Sequence, residues 1–301
     1  MNTTTKALRP KFLVTGASGL SGSIVVDEFI RQNIPVRVLV RDRRKVSKLE
    51  NQPGVEIFEG DMMDAHSLSG VFDGIEKALM ISSANEKMVE TQQCFIDAAQ
   101  QAGLPHLIKY SGFDTGIGFN GQNFIAQVQH AKAEDHLASS RIDWTILRVS
   151  QFMQFYLPGT RTGVTLEQNA LILPIEDARL APVDIEDVAR IVAGIMTGTG
   201  HEKKIYEISG PDAMNMREAC DIISRVTGRQ IEYRHISLED YINMFEAMGI
   251  PEYPKRVISE LSRERRKCID SHIWLDTHRQ LNVRPTNFAE FIYKHKSVFE
   301  N

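Results

Sequence analysis

A chain of 301 residues can bury a full core and make one large or two smaller domains. Its 35 basic and 39 acidic residues argue against a surface built for polyanions, and no uncharged apolar run approaches the roughly 20 residues of a membrane span. Cys94, Cys220 and Cys268 are odd in number, far apart and without ligand spacing, so they read as reduced thiols and no metal site is expected.

The opening residues Met1 to Lys6 lack the apolar segment of a secretory signal, so a cytoplasmic protein without membrane or nucleic-acid partners is expected. The first apolar run, Lys11 to Thr15, reads as a buried strand that stops at Gly16. Gly19 and Gly22 follow, and Val25 and Phe29, four apart, mark the helix that comes next. Strand, glycine turn and helix form the arrangement in which a dinucleotide pyrophosphate rests on free N–H groups at a helix N-terminus. Gly16 allows the tight turn, Gly19 lets backbone approach phosphate, and Gly22 lets the helix pack closely. Gly16, Ser18, Gly19, Leu20, Ser21 and Gly22 are therefore candidate cofactor contacts. A second apolar run from Pro35 to Val40 ends at Arg41, completing a βαβ unit of about 30 residues.

Further strands are expected at Val55–Phe58, Ala78–Ile81, Leu107–Tyr110 and Trp144–Leu147, with helical patterns between them. The clearest helix places Met88, Thr91, Phe95, Ala98 and Ala102 on one face and stops at Gly103, with Pro105 beyond. This alternation predicts an α/β fold, a Rossmann-type doubly wound parallel sheet. After Arg148 the rhythm changes, and residues 151–181 carry no clean period. A helix after Val183 and a strand over Lys204–Ser209 are expected to return to the main sheet, and helices dominate from Asn215 onward. The predicted division is a nucleotide-binding domain over 1–150, joined by 183–209, and a smaller, mainly helical lobe over 151–182 and 210–301.

Arg41 stands at the end of the second strand, where an acidic residue would receive a ribose 2′-OH; a guanidinium suits a 2′-phosphate and hence NADP. Asp42 beside it leaves NAD open. Ser82 and Ser83 follow the fourth strand at the carboxyl edge of the sheet, where they either line the cofactor ribose or cap the next helix. The glycine-rich loop containing Phe113 reads as a lid over an apolar ligand or as an ordinary surface loop. Gln151, Phe152, Phe155 and Tyr156 read as an opposite wall of a substrate pocket or as core.

Together, Val14 to Gly22, Val40-Arg41-Asp42, Glu59-Gly60-Asp61, Tyr110-Ser111-Gly112, Thr145 to Arg148, Val183 to Val188 and Ser209-Gly210-Pro211 resemble the NmrA-like atypical short-chain dehydrogenases. That group holds NAD(P)H:quinone oxidoreductases, triphenylmethane and azo-dye reductases, and NADP-sensing regulators. The resemblance implies that Asp61 lies beside the adenine, which competes with a helix-capping role. It also implies that Ser111 matches the hydroxyl of the usual catalytic serine. If Glu134 and Leu137 hold the family's positions, His130 stands where the lysine of Tyr-x-x-x-Lys is expected and Ala126 where the tyrosine is. His130 and Glu134 then share a helical face, so the carboxylate is expected to orient the imidazole or raise its pKa, whereas Lys132 is turned about 200° from His130. A structural histidine is the competing reading. The expected activity is NADPH-dependent hydride transfer to a flat apolar acceptor such as a quinone or dye, with His130 and Ser111 as catalytic candidates. The alternative is an NADP(H)-binding sensor that does not turn over and acts through a protein partner.

Overall fold

The computed structural model describes residues 10–160 and 162–300. Met1 to Lys6, read above for a secretory segment, lie outside the described residues. In chain order the elements begin β1 (Phe12–Thr15), α1 (Leu20–Arg31), β2 (Val36–Val40), β3 (Val55–Glu59), β4 (Lys77–Met80) and α2 (Met88–Gln101). They continue with β5 (His106–Gly112), α3 (Ile125–Ser139), β6 (Asp143–Val149), β7 (Ala170–Leu173), α4 (Ile185–Thr197) and β8 (Lys204–Ile208). The last part holds α5 (Met216–Thr227), β9 (Glu232–His235), α6 (Leu238–Ala247), α7 (Glu252–Arg265), α8 (Asp276–Gln280) and α9 (Phe288–Lys294). No helix among the described residues is long and apolar enough to cross a membrane.

Seven strands form one sheet in the order β3-β2-β1-β4-β5-β6-β8, a Rossmann-like α/β architecture. The chain steps outward from β1 to β3, then returns to the other side of β1 with β4. The switch point of the sheet therefore lies between β1 and β4, where ligands of such folds bind beyond the carboxyl ends of the strands. β1 pairs in parallel with both neighbours, Phe12 opposite Val36 on one side and Lys77 on the other. Strand periodicity sends Leu13, Ala78, Met80 and Leu107 to one face, where they pack with Phe95, Ile96 and Ala99 of α2 and Leu137 of α3.

Two compact units emerge. Among the described residues, the first comprises 10–111, 130–147 and 189–206; the second comprises 112–129, 148–160, 162–188 and 207–300. Residues 112–129 thus group with the second unit, apart from the expected boundary at 150. In the second unit β7 and β9 make a two-stranded parallel sheet, Ala170 opposite Glu232, that the sequence pattern did not announce. β7 is the four-residue apolar run Ala170-Leu171-Ile172-Leu173, too short and too uniform to show alternation. Tyr156, Leu171, Ile223, Phe245, Phe288 and Phe291 are among the residues of this unit's core. Cys220 and Cys268 are buried, and burial pushes the Cys220 thiol up to about 12, as expected of an unreactive packing group.

α2 begins and ends close to where it was expected, with Gly103 at φ +71° beyond its C-terminus. Its buried face, however, runs through Met88, Gln92, Phe95, Ile96 and Ala99, while Thr91 and Ala98 are half-buried and Ala102 is exposed. The stripe is rotated because Gln92, a polar residue, is drawn inside by a hydrogen bond from its Nε2 to Ser82 Oγ (2.8 Å).

Between β3 and β4 the chain forms no α-helix. It descends through turns closed by local bonds, such as Asp64 N–H to Asp61 O and Val71 N–H to Leu68 O. Arg37 of β2 reaches into this segment, donating to the carbonyls of Val71 (2.7 Å) and Asp73 (3.1 Å) while its other nitrogens meet Glu56, its cross-strand partner.

The packing of α1 on its own entry turn gives a test of the fold. A Cβ at Gly22 would lie 2.2 Å from the Gly16 carbonyl oxygen, whereas one at Gly19 would meet that oxygen at 3.3 Å and nothing nearer. Gly22→Ala should cost about 1–3 kcal/mol by overpacking and lower the thermal midpoint. Gly19→Ala should leave the midpoint within error of the parent, and melts of the two variants side by side check this.

Candidate functional site

The turn from β1 to α1 is built from backbone. Gly16 has φ +67°, and a Cβ there would crowd Ile81 O at 3.0 Å. Thr15 binds the same neighbour reciprocally, its Oγ1 donating to Ile81 O (2.6 Å) and accepting from Ile81 N–H (2.8 Å). The ends of β1 and β4 are thereby fixed at the switch point. α1 then starts at Gly19 with no side-chain cap and no acidic residue in its first turn. The N–H of Gly19 goes to Gly16 O, and the first helical bond is Ser23 N–H to Gly19 O, so the N–H groups of Leu20, Ser21 and Gly22 have no acceptor within the helix. A pyrophosphate fits this place: it needs such donors, favours the positive end of the helix dipole, and requires the missing Cβ at Gly19. Ser18 is exposed, Ser21 is half-buried, and Leu20 is 46% exposed.

At the end of β2 the neighbouring charges separate into different jobs. Asp42 caps the following 3-10 turn, accepting from Arg44 N–H (3.0 Å) and from the Arg44 guanidinium, which holds its carboxyl below the usual range. Arg43 donates to Ile57 O (2.9 Å). Among the described residues Arg41 makes no hydrogen bond or ion pair, and it is exposed at the end of β2, the strand beside the glycine turn. Asp61 shows the turn-capping role, its Oδ1 accepting from Met63 N–H (2.9 Å). Ser82 is half-buried and held by Gln92, while Ser83 is exposed. Neither caps α2, whose N-cap residue, Lys87, makes no side-chain cap bond.

A site spanning this edge has a direction. With Arg41 on the β2 side of the turn and Ser82 on the β4 side, a dinucleotide resting on α1 would extend its second half toward β4 and β5. At the end of β5 stand Lys109, Tyr110 and Ser111. Tyr110 faces α1; burial raises its pKa, against which a hydrogen bond with Ser21 acts. Lys109 and Ser111, two residues apart on the opposite face, meet α3. Lys109 is fully buried, with Nζ 3.0 Å from His130 Nδ1 and 3.3 Å from Ser111 Oγ. Ser111, also buried, donates to Glu134 Oε1 (2.5 Å).

The structure therefore brings His130, Ser111 and Glu134 into one cluster but corrects how they are joined. The group beside His130 Nδ1 is Lys109, and Glu134 receives Ser111 instead. Burial and the neighbouring Lys109 hold the imidazole well below its ordinary pKa, opposite to the direction expected from Glu134. Lys132 is exposed, as its helical angle implied. Lys109 was missed in the sequence; the available signal was a lysine inside an apolar strand run, two residues before a serine and hence on its face.

The remaining candidates belong to the second unit. Phe113 is half-buried against Trp274 (ring centroids 5.7 Å) with the Arg148 guanidinium 5.3 Å from its ring centre. Phe152 packs on Phe155, which is 38% exposed, and Gln151 is half-buried with its carbonyl accepting from Val183 N–H. Tyr156 is a correction: it is a core residue, 1% exposed and packed edge-on against Phe288 at 4.9 Å, and lines no wall.

Similarity to known proteins extends along the chain. It is 28% identical over 290 residues to NAD(P)H azoreductase of Xenophilus azovorans, covering 95% of this chain and 98% of that one. It is also 28% identical over 291 residues to (4-alkanoyl-5-oxo-2,5-dihydrofuran-3-yl)methyl phosphate reductase of Streptomyces griseus, again covering 95% and 98%. In fold it is similar to NADPH-dependent quinone oxidoreductase of Escherichia coli solved with NADPH, with a TM-score of 0.81 at 23% identity over 94% of this chain and 99% of that one. Residues 9–292 match the NmrA-like family, and with so nearly complete a match the chain belongs to that family.

Proposed function

We propose that the protein is an NADPH-dependent reductase that passes hydride to a flat, electron-poor apolar acceptor such as a quinone or an azo dye. The observation that carries this reading is the uncapped first turn of α1, open at Gly19 and accompanied by the unpaired Arg41 guanidinium at the end of the adjacent strand. Three backbone donors would hold the pyrophosphate, and Arg41 would grip the 2′-phosphate with charge-assisted bonds. Because Asp42 is already committed to Arg44, it competes poorly for ribose hydroxyls, which favours NADP over NAD. Ser82, oriented by Gln92, would line the second ribose.

When bound, the dinucleotide supplies the hydride. The chain's own part is to hold the acceptor's developing negative charge. We read Ala126 as standing where a tyrosine acid is usual in short-chain dehydrogenases, so that the site lacks that proton donor. An acceptor whose hydride adduct is a stabilised anion, on oxygen for a quinone or on nitrogen for an azo dye, tolerates this loss, since water can deliver the proton. Ser111 donates its proton to Glu134, which makes it a positioning group for the helix and strand. The names of the azoreductase and quinone oxidoreductase relatives favour turnover over the sensor reading.

NADPH oxidation measured against a panel of quinones and azo dyes, with dinucleotide affinity in parallel, tests the proposal; tight binding with no turnover on any acceptor would overturn it in favour of a sensor. Secondary alcohols should not be oxidised at a useful rate with NADP⁺, and an identified ketone product would show that an acid had been overlooked. Arg41→Ala should weaken NADPH binding by about 1–3 kcal/mol and leave NADH nearly unchanged, as calorimetry with both nucleotides would report. Gly19→Val should abolish binding of either dinucleotide in a protein with unchanged circular dichroism, because the new side chain fills the phosphate's place.

A further inference from the structure

Lys109, Ser111, Glu134 and His130 form a chain of contacts whose hydrogen-bond directions can be worked out. Ser111 has one proton and gives it to Glu134 Oε1 at 2.5 Å, so toward Lys109 its oxygen can only accept. Lys109 Nζ therefore donates to Ser111. Read as an ammonium, Lys109 has a counter-charge in the Glu134 carboxylate beyond that hydroxyl, in a place where neither group meets bulk water. An ammonium carries donors and no acceptor. The imidazole nitrogen 3.0 Å from it, Nδ1, must then offer a lone pair, and the ring's single proton must sit on Nε2.

We propose that Lys109 is a positioning residue that fixes His130 as a neutral imidazole protonated at Nε2, so that His130 stabilises the acceptor's oxyanion by donating a hydrogen bond and does not act as a proton-releasing acid. This rests on the reductase reading for the role of His130, though the tautomer itself does not. The same division of labour, a neutral imidazole polarising an oxygen beside a separate proton source, is known chemistry for an enolising enzyme. The balance is simple. Hydride adds to the acceptor with its electron pair, the acceptor oxygen becomes an oxyanion held by Nε2–H, and the proton that completes the product comes from water. His130 keeps its proton throughout, since losing it would leave an imidazolate. The groups around the ring agree: Lys109 from β5 disfavours imidazolium, Glu134 on the same helix is engaged by Ser111, and burial acts in the same sense as Lys109.

Long-range proton–nitrogen NMR of the full chain without cofactor or acceptor tests this, with His130→Gln used to assign the His130 signals. The expected spectrum shows neutral His130 with its proton on Nε2, unchanged across about pH 5 to 8, where an ordinary histidine titrates. A proton on Nδ1, or titration near the usual midpoint, would overturn the proposal. In Lys109→Met, His130 should lose its single tautomer and its midpoint should move up; an unaltered tautomer and midpoint would remove Lys109 from the role. Should that variant fail to fold, Lys109→Gln, which removes the charge and adds an acceptor, is measured in its place with the same two outcomes. With NADPH and a quinone, kcat should be flat over the same pH range, and Lys109→Met should lower kcat more than it raises KM. Because the spectra need no turnover, failure of the reductase reading leaves the tautomer result standing, and a wrong tautomer leaves the reductase reading standing.

Discussion

A buried lysine is the constraint around which the end of β5 is organised. Lys109 has no exposed surface, and a charge taken out of water costs several kcal/mol unless it is paired and hydrogen-bonded. Ser111 on the same strand face and Glu134 on α3 meet that need in sequence, one as relay and the other as counter-charge. Their geometry holds α3 against the strand at a set register, and His130, one turn before Glu134, is carried to the sheet edge as a result. The opposite face of the same strand presents Tyr110 to Ser21 at the start of α1. One strand with a period of two thus connects the glycine turn and the imidazole cluster.

The start of α1 is best judged against helices elsewhere in the chain. α5 and α9 open with complete capping boxes, Asn215 with Glu218 and Asn287 with Glu290, in which side chain and backbone satisfy each other. α1 opens on Gly19 with nothing of the kind. α2 and α7 also open without a side-chain cap, so what sets α1 apart is a bare first turn that follows a glycine bend and leaves the approach over Gly19 clear. Its glycines divide the work: Gly16 bends the chain, Gly22 brings helix against turn, and Gly19 leaves the approach clear.

The parts legible in the sequence were those whose cause is local. The β1 turn, α1 and β2 show because strand, glycines and helix lie within about 30 residues and each glycine has its own steric reason. Parallel strands buried on both faces likewise announce themselves as short apolar runs. What escaped depends on partners distant along the chain. The buried face of α2 was misplaced because Gln92 is inside only by virtue of Ser82. Neighbouring positions on one helix suggested Glu134 as the partner of His130, yet a lysine 21 residues earlier holds that place. Asp42 looked available to a ribose until its bonds to Arg44 were seen, and Tyr156 looked like a pocket wall until Phe288, from the far end of the chain, was found against its ring.

The crossover from β3 to β4 has one more consequence. A helix in that place would open as a cooperative unit, each residue held by a bond to the turn before it. Here successive turns are tied by the Ser67 hydroxyl, which bonds Asp61 and Asp64, by the burial of Leu68, Val71 and Phe72, and by the Arg37 guanidinium, which gathers the carbonyls of Val71 and Asp73 while anchored on Glu56. Part of the cohesion of the segment thus comes from a side chain of the sheet. Local opening there is coupled to the breaking of that fork, and so to the end of β3, from which Asp61 starts the segment.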